Sequence, residues 1–270
     1  MINFFRKIRR NLLLEGKTGK YFKYAIGEIA LVMIGILLAL QVNNWNQNRL
    51  DQLLESQYYE RLLDDVQEEK LILETVVNYS KQVAGHAANA ILVYENASNA
   101  NPDPVANLID MYQASQLLDP YSASSTYKEL IASGQINLIQ NDSLKTALIR
   151  YYDVNWAESG VAVLENTYRT NLRGKMPHHI QNKIRLACGD FYVKTRNSYL
   201  VVLPEQCAIE LDYTLARSVV EQLRKDESLK NDLRYLVGNE AGKLNDVNAT
   251  LMQLEELTVL LEDLTHDQVL

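Results

Sequence analysis

From Ala25 to Val42 the chain reads AIGEIALVMIGILLALQV, broken only by Glu28 and Gln41. At the α-helical rise this run covers about 27 Å, close to the hydrocarbon thickness of a bilayer. A helix apolar on every side needs either lipid or a protein core around its whole circumference. Tyr21, Phe22 and Tyr24 stand at one end of the run and Trp45 at the other. That is where interfacial aromatics sit, and Tyr24 and Trp45 are the expected interface residues.

The charges give the run a direction. Arg6, Lys7, Arg9, Arg10, Lys17, Lys20 and Lys23 precede it, while Arg49 follows among Asp51, Glu55 and Glu60. The positive-inside rule then keeps the N-terminus in the cytoplasm and sends the rest across. A cleaved signal peptide would need a small-residue site after the run, and Leu40-Gln41-Val42-Asn43-Asn44 offers none. A soluble core helix would leave the charge asymmetry without a cause. The expected division is a basic amphipathic cytoplasmic segment at 1–23, a transmembrane helix at 24–45 and a helical domain at 46–270.

In the first segment Phe4, Phe5, Ile8, Leu12 and Leu13 form an apolar stripe with the basic residues largely opposite. Such a helix rests on an anionic leaflet, so lipid of the inner leaflet is an expected partner. Within the span, Glu28 either reaches back to the interface near Lys20 or Lys23, or joins Gly35 and Ala39 as a packing face. Those three residues fall at i, i+7 and i+11 of one helix.

The formal charge of the whole chain is −7. With a basic head, the body is strongly acidic, which excludes a nucleic-acid partner that would need a basic face. Gly and Pro are scarce, numbering 11 and 5, and Leu, Ala, Glu, Gln and Asn favour helix over sheet. A helical pattern runs from about Arg49 to Tyr94, with no Gly or Pro separating it from the span. Its seam steps by three and four through Tyr59, Leu62, Val66, Glu69, Leu73, Val76, Ser80, Val83, Ala87, Ala90 and Tyr94. That is a heptad period.

Asn96 to Pro104 is a loop. Shorter helices are expected at Val105–Leu118 and Thr126–Ala132, the second capped by Ser124 or Ser125 and ended by Gly134. A longer one should run from Asn141 or Asp142 to about Arg173, carrying Leu144, Leu148, Tyr151, Tyr152, Val161, Leu164 and Tyr168. Asp226 caps a last helix reaching about Leu264, with a seam through Leu229, Leu233, Val237, Leu244, Val247, Leu251, Leu254 and Leu261. Two long helices at opposite ends of a domain pair most simply antiparallel. The fold class is mainly α: a transmembrane helix continuing into an elongated helical bundle or coiled-coil hairpin, with one small β-hairpin.

The hairpin is expected between Pro177 and Gln206, the stretch that departs from helix. Phe191–Val193 and Tyr199–Leu203 are β-like, and a turn at Asn197-Ser198 sets Val193 opposite Val202. The same register sets Cys188 opposite Cys207. In a domain outside the cytoplasm these two cysteines read as a disulfide, with a pair of separate buried thiols as the alternative.

Reactive constellations fail one by one. Gly16-Lys17-Thr18 mimics the end of a P-loop, but Asn11 stands at the first Gly position. No G-x-S-x-G occurs. His178-His179, near Cys188 and Asp190, lacks metal-site spacing and reads as a solvated loop. His86 reads as packed or exposed, not catalytic. Asp64-Asp65, Glu68-Glu69 and Glu255-Glu256 read as solvated helix faces. The paired tyrosines Tyr58, Tyr59, Tyr151 and Tyr152 suit partly wet cores and contact surfaces. The chain is expected to be no enzyme and to need no cofactor or metal.

The segment from Phe4 to Arg49 resembles the start of an uncharacterised family of single-pass membrane proteins of Gram-negative bacteria, a domain of unknown function. The resemblance rests on Gly16-Lys17-Thr18-Gly19-Lys20-Tyr21, Gly27-Glu28, Ile34-Gly35-Ile36-Leu37 and Ala39-Leu40-Gln41-Val42-Asn43-Asn44-Trp45-Asn46. A second stretch, Tyr127 to Gln135 leading to Tyr151-Tyr152, fits the body of that family. The resemblance implies an inner-membrane location with a periplasmic body, and supplies no catalytic residues. The expected function is a non-enzymatic interaction or scaffold module with a protein partner, self-association included. A ligand-sensing bundle and an enzyme with an unrecognised site are the alternatives.

Overall fold

The computed structural model describes residues 18–158, 160 and 165–267. The amphipathic segment up to residue 17, with Gly16 and Lys17, and Val161 and Leu164 of the expected long helix lie outside them. The chain divides into two units, residues 1–57 and 58–270. Helix α1 (Thr18–Tyr94) begins in the first and ends in the second.

In the first unit, α1 carries one 18-residue window long and apolar enough to cross a membrane, and none of that window is buried.

The second unit is built on the remainder of α1. All eleven seam residues from Tyr59 to Tyr94 are buried, Glu69 and Ser80 among them. The opposite long helix, here α8 (Glu227–Asp267), starts one residue after its expected cap. Asp226 accepts from the backbone N–H groups of Ser228 at 3.0 Å and Leu229 at 3.3 Å. Lys70 pairs with Glu255 at 3.1 Å and Arg234 with Glu95 at 2.6 Å. Contacts that rise along α1 as they fall along α8 make the two helices antiparallel.

The seam of α8 differs from expectation in its middle. Leu229, Leu233, Leu236, Glu240, Lys243, Val247, Leu254, Leu257 and Leu261 are buried, while Val237 is exposed. With the half-buried Thr250 these positions keep an unbroken three-four alternation, which a reading by apolar residues alone abandons at Glu240 and Lys243.

Shorter helices fill the space around this pair. Helix α2 (Pro104–Gln113) is capped by Asp103, with Pro104 at its first position, where the missing N–H costs nothing. Helix α3 (Ser125–Ala132) forms as expected, and Gly134 takes φ 71° beyond its end. Helix α4 (Asp142–Tyr152) is capped by Asn141. It stops at Tyr152, far short of Arg173. A 3-10 turn, Trp156–Glu158, follows, and α5 (Thr167–Lys175) begins anew on the cap Asn166. Tertiary demands break the helix: Asp153 receives the Tyr127 hydroxyl, and the Trp156 indole reaches Glu69.

Two further helices correct the sequence reading. Helix α6 (His178–Cys188) occupies the start of the stretch expected to be non-helical, burying Ile180, Ile184 and Cys188 one turn apart. Helix α7 (Tyr213–Arg224) is capped by Asp212 and buries Ala216, Val219, Val220 and Leu223. Together with α2, α5 and the start of α8, these helices enclose one apolar core around Ala87, Ala90 and Tyr94. Eight α-helices are present among the described residues.

The hairpin exists as β1 (Phe191–Lys194) and β2 (Tyr199–Val202), antiparallel, with Val193 opposite Leu200. The register is two residues from expectation because the loop, Thr195–Ser198, is centred on Arg196-Asn197, one residue before the expected turn. The Thr195 N–H donates to the Ser198 carbonyl at 2.9 Å, and the Ser198 N–H to Thr195 Oγ1 at 2.8 Å. Cys188 and Cys207 are joined by a disulfide with Cα atoms 5.3 Å apart. Cys188 ends a helix, so the bridge closes without the strand ladder that was expected to align it. Gly189 makes the exit possible, since a Cβ there would stand 2.4 Å from the Arg185 carbonyl oxygen.

Candidate functional site

Four carboxylates on two turns of α1 organise the second unit. Asp65 accepts from the Thr126 N–H at 2.7 Å and the Ser125 hydroxyl at 2.9 Å. It therefore caps α3 from another helix, in place of the expected Ser124, which makes no side-chain cap bond. Glu68 accepts from Thr195 Oγ1 at 3.0 Å and from the Ser198 hydroxyl, holding the hairpin loop. Asp64 pairs with Arg196 at 3.2 Å beside it. The solvated face expected for these residues is instead a row of anchors, and Glu68 and Glu69 are buried.

Glu69 has no exposed surface. Its Oε1 accepts from Ser122 Oγ at 2.9 Å, the Tyr151 hydroxyl at 3.0 Å and Trp156 Nε1 at 2.6 Å. Its Oε2 accepts from the Ala123 N–H. No lysine or arginine pairs with it among the described residues. Burial pushes the Glu69 carboxyl above the usual carboxylate range, and the four donors pull it partway back. An anion desolvated at a cost of several kcal/mol is held by hydrogen bonds worth about 1.5–3 kcal/mol each.

The tyrosines around it take the complementary shift. Burial, then the Glu69 charge, carries Tyr151 beyond the ordinary tyrosine range. Tyr152 stacks on Tyr127 with ring centroids 4.9 Å apart and meets Tyr151 edge-on. Burial and the Asp153 carboxylate, 2.7 Å from the Tyr127 hydroxyl, push Tyr127 up to about 12. With its oxygens occupied by donors, Glu69 acts as a brace that fixes Tyr151 and Trp156, not as a free base. The sequence signal for it is the acidic residue at a core position of the apolar seam.

A second surface lies at the hairpin. Tyr192 is 72% exposed, Tyr199 58% and Leu186 of α6 80%, and every residue of β1 is exposed. Its loop is held by Glu68. Its start is held by the Tyr79 hydroxyl on Asp190 at 3.0 Å, and its base by the disulfide.

The remaining candidates stay apart. Glu28, Gly35 and Ala39 share one face of α1. Gly35 and Ala39 are exposed, and nothing lies within 4 Å of a Cβ built on Gly35. Trp45 is exposed and Tyr24 lies in the first turns of α1. His178 and His179 are exposed in the first turn of α6, not in a loop. His86 contacts Asp110 at 2.7 Å. Among the described residues no group of three or more His, Cys, Asp or Glu side chains could hold a metal ion.

Residues 28–161 match the model of DUF6090, a family of unknown function. The match takes in the apolar window from Glu28 onward, the α1 seam and the named partners of Glu69, and ends before the hairpin. No curated protein and no solved structure matches the chain.

Proposed function

We propose that this chain is a single-pass membrane protein whose second unit is a non-enzymatic interaction module on the periplasmic side of the inner membrane. The observation that carries the reading is the pinned hairpin. Tyr192 and Tyr199 stand exposed on one face of the hairpin and Phe191 and Val193 on the other, and aromatic surface left in water on a held element marks a contact site. Held at its loop, start and base, the hairpin loses little further freedom on binding. Strand β1 has one neighbour in a two-stranded sheet, which leaves an edge for an added strand.

The unburied apolar window of α1, the basic residues before it and the aromatics at its ends support the membrane reading. The disulfide suits an oxidising compartment. Anionic lipid is the partner of the basic segment. The test is a photo-crosslinking residue at Tyr192 in intact cells, followed by purification through a C-terminal tag. One or two dominant adducts, a second copy of the chain among them, are expected. Recovery without any stoichiometric adduct overturns the reading. Reporter fusions on either side of residues 24–45 check the topology, and an active cytoplasmic reporter after Trp45 reverses it.

A further inference from the structure

A cleft of about 240 Å³ lies between Tyr151, Val154 and Trp156 on one wall and Lys243, Asp246 and Thr250 of α8 on the other. Its size is below the roughly 300 Å³ at which drug-sized pockets begin, so its occupant is a small molecule.

Two charged groups of this cleft are unusual. Lys243 occupies a seam position and is 6% exposed. Its Nζ forms an ion pair with Glu240 Oε1 at 3.8 Å, and it makes no hydrogen bond among the described residues. Glu240 Oε2 is itself buried without a hydrogen-bond partner. An ammonium on the cleft wall that has one ion-pair partner at 3.8 Å and no hydrogen bond among the described residues keeps its donors available to an anionic oxygen. One turn along α8, Asp246 lines the same cleft, with Oδ2 3.2 Å from where a Cβ on Gly160 would stand. A neighbouring carboxylate disfavours phosphate or a dicarboxylate. It favours a ligand that brings its own positive charge.

Residues three apart on a helix have Cβ atoms about 5–6 Å apart. The two head groups can therefore reach a carboxylate and an ammonium carried on one small molecule. The opposite wall supplies the apolar counterpart, the rings of Tyr151 and Trp156 held in place by Glu69. We infer that this cleft binds a small zwitterion of the amino-acid class, its carboxylate on Lys243 and its ammonium on Asp246. The inference goes beyond the interaction reading and does not depend on the side of the membrane.

The test is calorimetric titration of the full chain in detergent with the free amino acids, and with matched acids lacking the ammonium and amines lacking the carboxylate. At least one amino acid should bind saturably, its one-headed analogues about tenfold or more weaker. Lys243→Met and Asp246→Asn should each weaken it about tenfold. Val154→Trp, on an exposed residue, should block the cleft while leaving both charges in place, which keeps the test decisive if Lys243→Met fails to fold. No saturable binding of any amino acid below about 10 mM overturns the proposal. So does an analogue that binds as tightly, or binding indifferent to Val154→Trp.

Discussion

The indole N–H of Trp156 donates to Glu69 Oε1 at 2.6 Å, so the residue after a broken helix and the one acid on the α1 seam are a single unit. Replacing Glu69 with Gln keeps the shape but sets an NH2 group against either the Ala123 N–H or the three donors at Oε1. Glu69→Gln should lower stability by about 1–3 kcal/mol, the cost of leaving a buried donor without an acceptor. Urea unfolding followed by Trp156 emission in a Trp45→Phe background measures it. An unchanged midpoint would remove Glu69 from its bracing role.

The same residue predicts a pH dependence. Its carboxyl is raised in the folded state, so the folded chain holds that proton more tightly than the unfolded chain. The resulting stabilisation is fully present below the ordinary value of about 4.5 and is lost as pH rises through the raised one. The stability difference between the parent and Glu69→Gln should therefore narrow from acidic to neutral pH. A difference constant over that range would contradict the shift.

Helix identity along α1 was legible because eleven positions at heptad spacing had to face one way, and even Glu69 and Ser80 obeyed the period. The same logic misread α8, where following apolar residues led to Val237 and Leu244 instead of Glu240 and Lys243. The period was the sounder guide, and the charged core positions were the informative ones. The end of α4 was not legible, since it depends on Glu69 and Asp153 drawing side chains away from a helix that local propensity would have continued. Two acids, one tyrosine and one tryptophan decide that break, each pair far apart in sequence. Nothing in the residues around 152 announces it.

Seam and surface should separate cleanly in α1. Leu73 is fully buried and its neighbour Leu71 is 44% exposed. Leu73→Ala should cost about 2–5 kcal/mol, transfer and cavity terms together, while Leu71→Ala should cost well under half of that. Equal losses would mean that the seam is buried on the other face.

The disulfide joins the end of α6 to the segment after β2 across 19 residues. In the chain-entropy model a loop of that size contributes about 3 kcal/mol. Cys188→Ser with Cys207→Ser should lose roughly that much, and crosslinking through Tyr192 should become less selective as the hairpin loosens at its base. Denaturant midpoints with and without reductant give the first number. A parent insensitive to reductant would show that the hairpin is held by Glu68 and Tyr79 alone.

Asp226 joins two roles, capping α8 and meeting Lys175 Nζ at 2.6 Å. The Lys175 ammonium, then the Ser228 hydroxyl, hold its carboxyl down to about 2. A depressed value means that the stabilisation is present above the ordinary carboxylate range and is lost as pH falls through about 2. Asp226→Ala should cost about 1 kcal/mol near neutral pH, as the loss of an N-cap does. Asp226→Asn should recover part of that, because its amide oxygen can still accept from Ser228 and Leu229. The gap between parent and Asp226→Asn is then the charge contribution alone. It should shrink as pH is lowered from 4 toward 2, and a gap that persists there would assign the effect to geometry, not to Lys175.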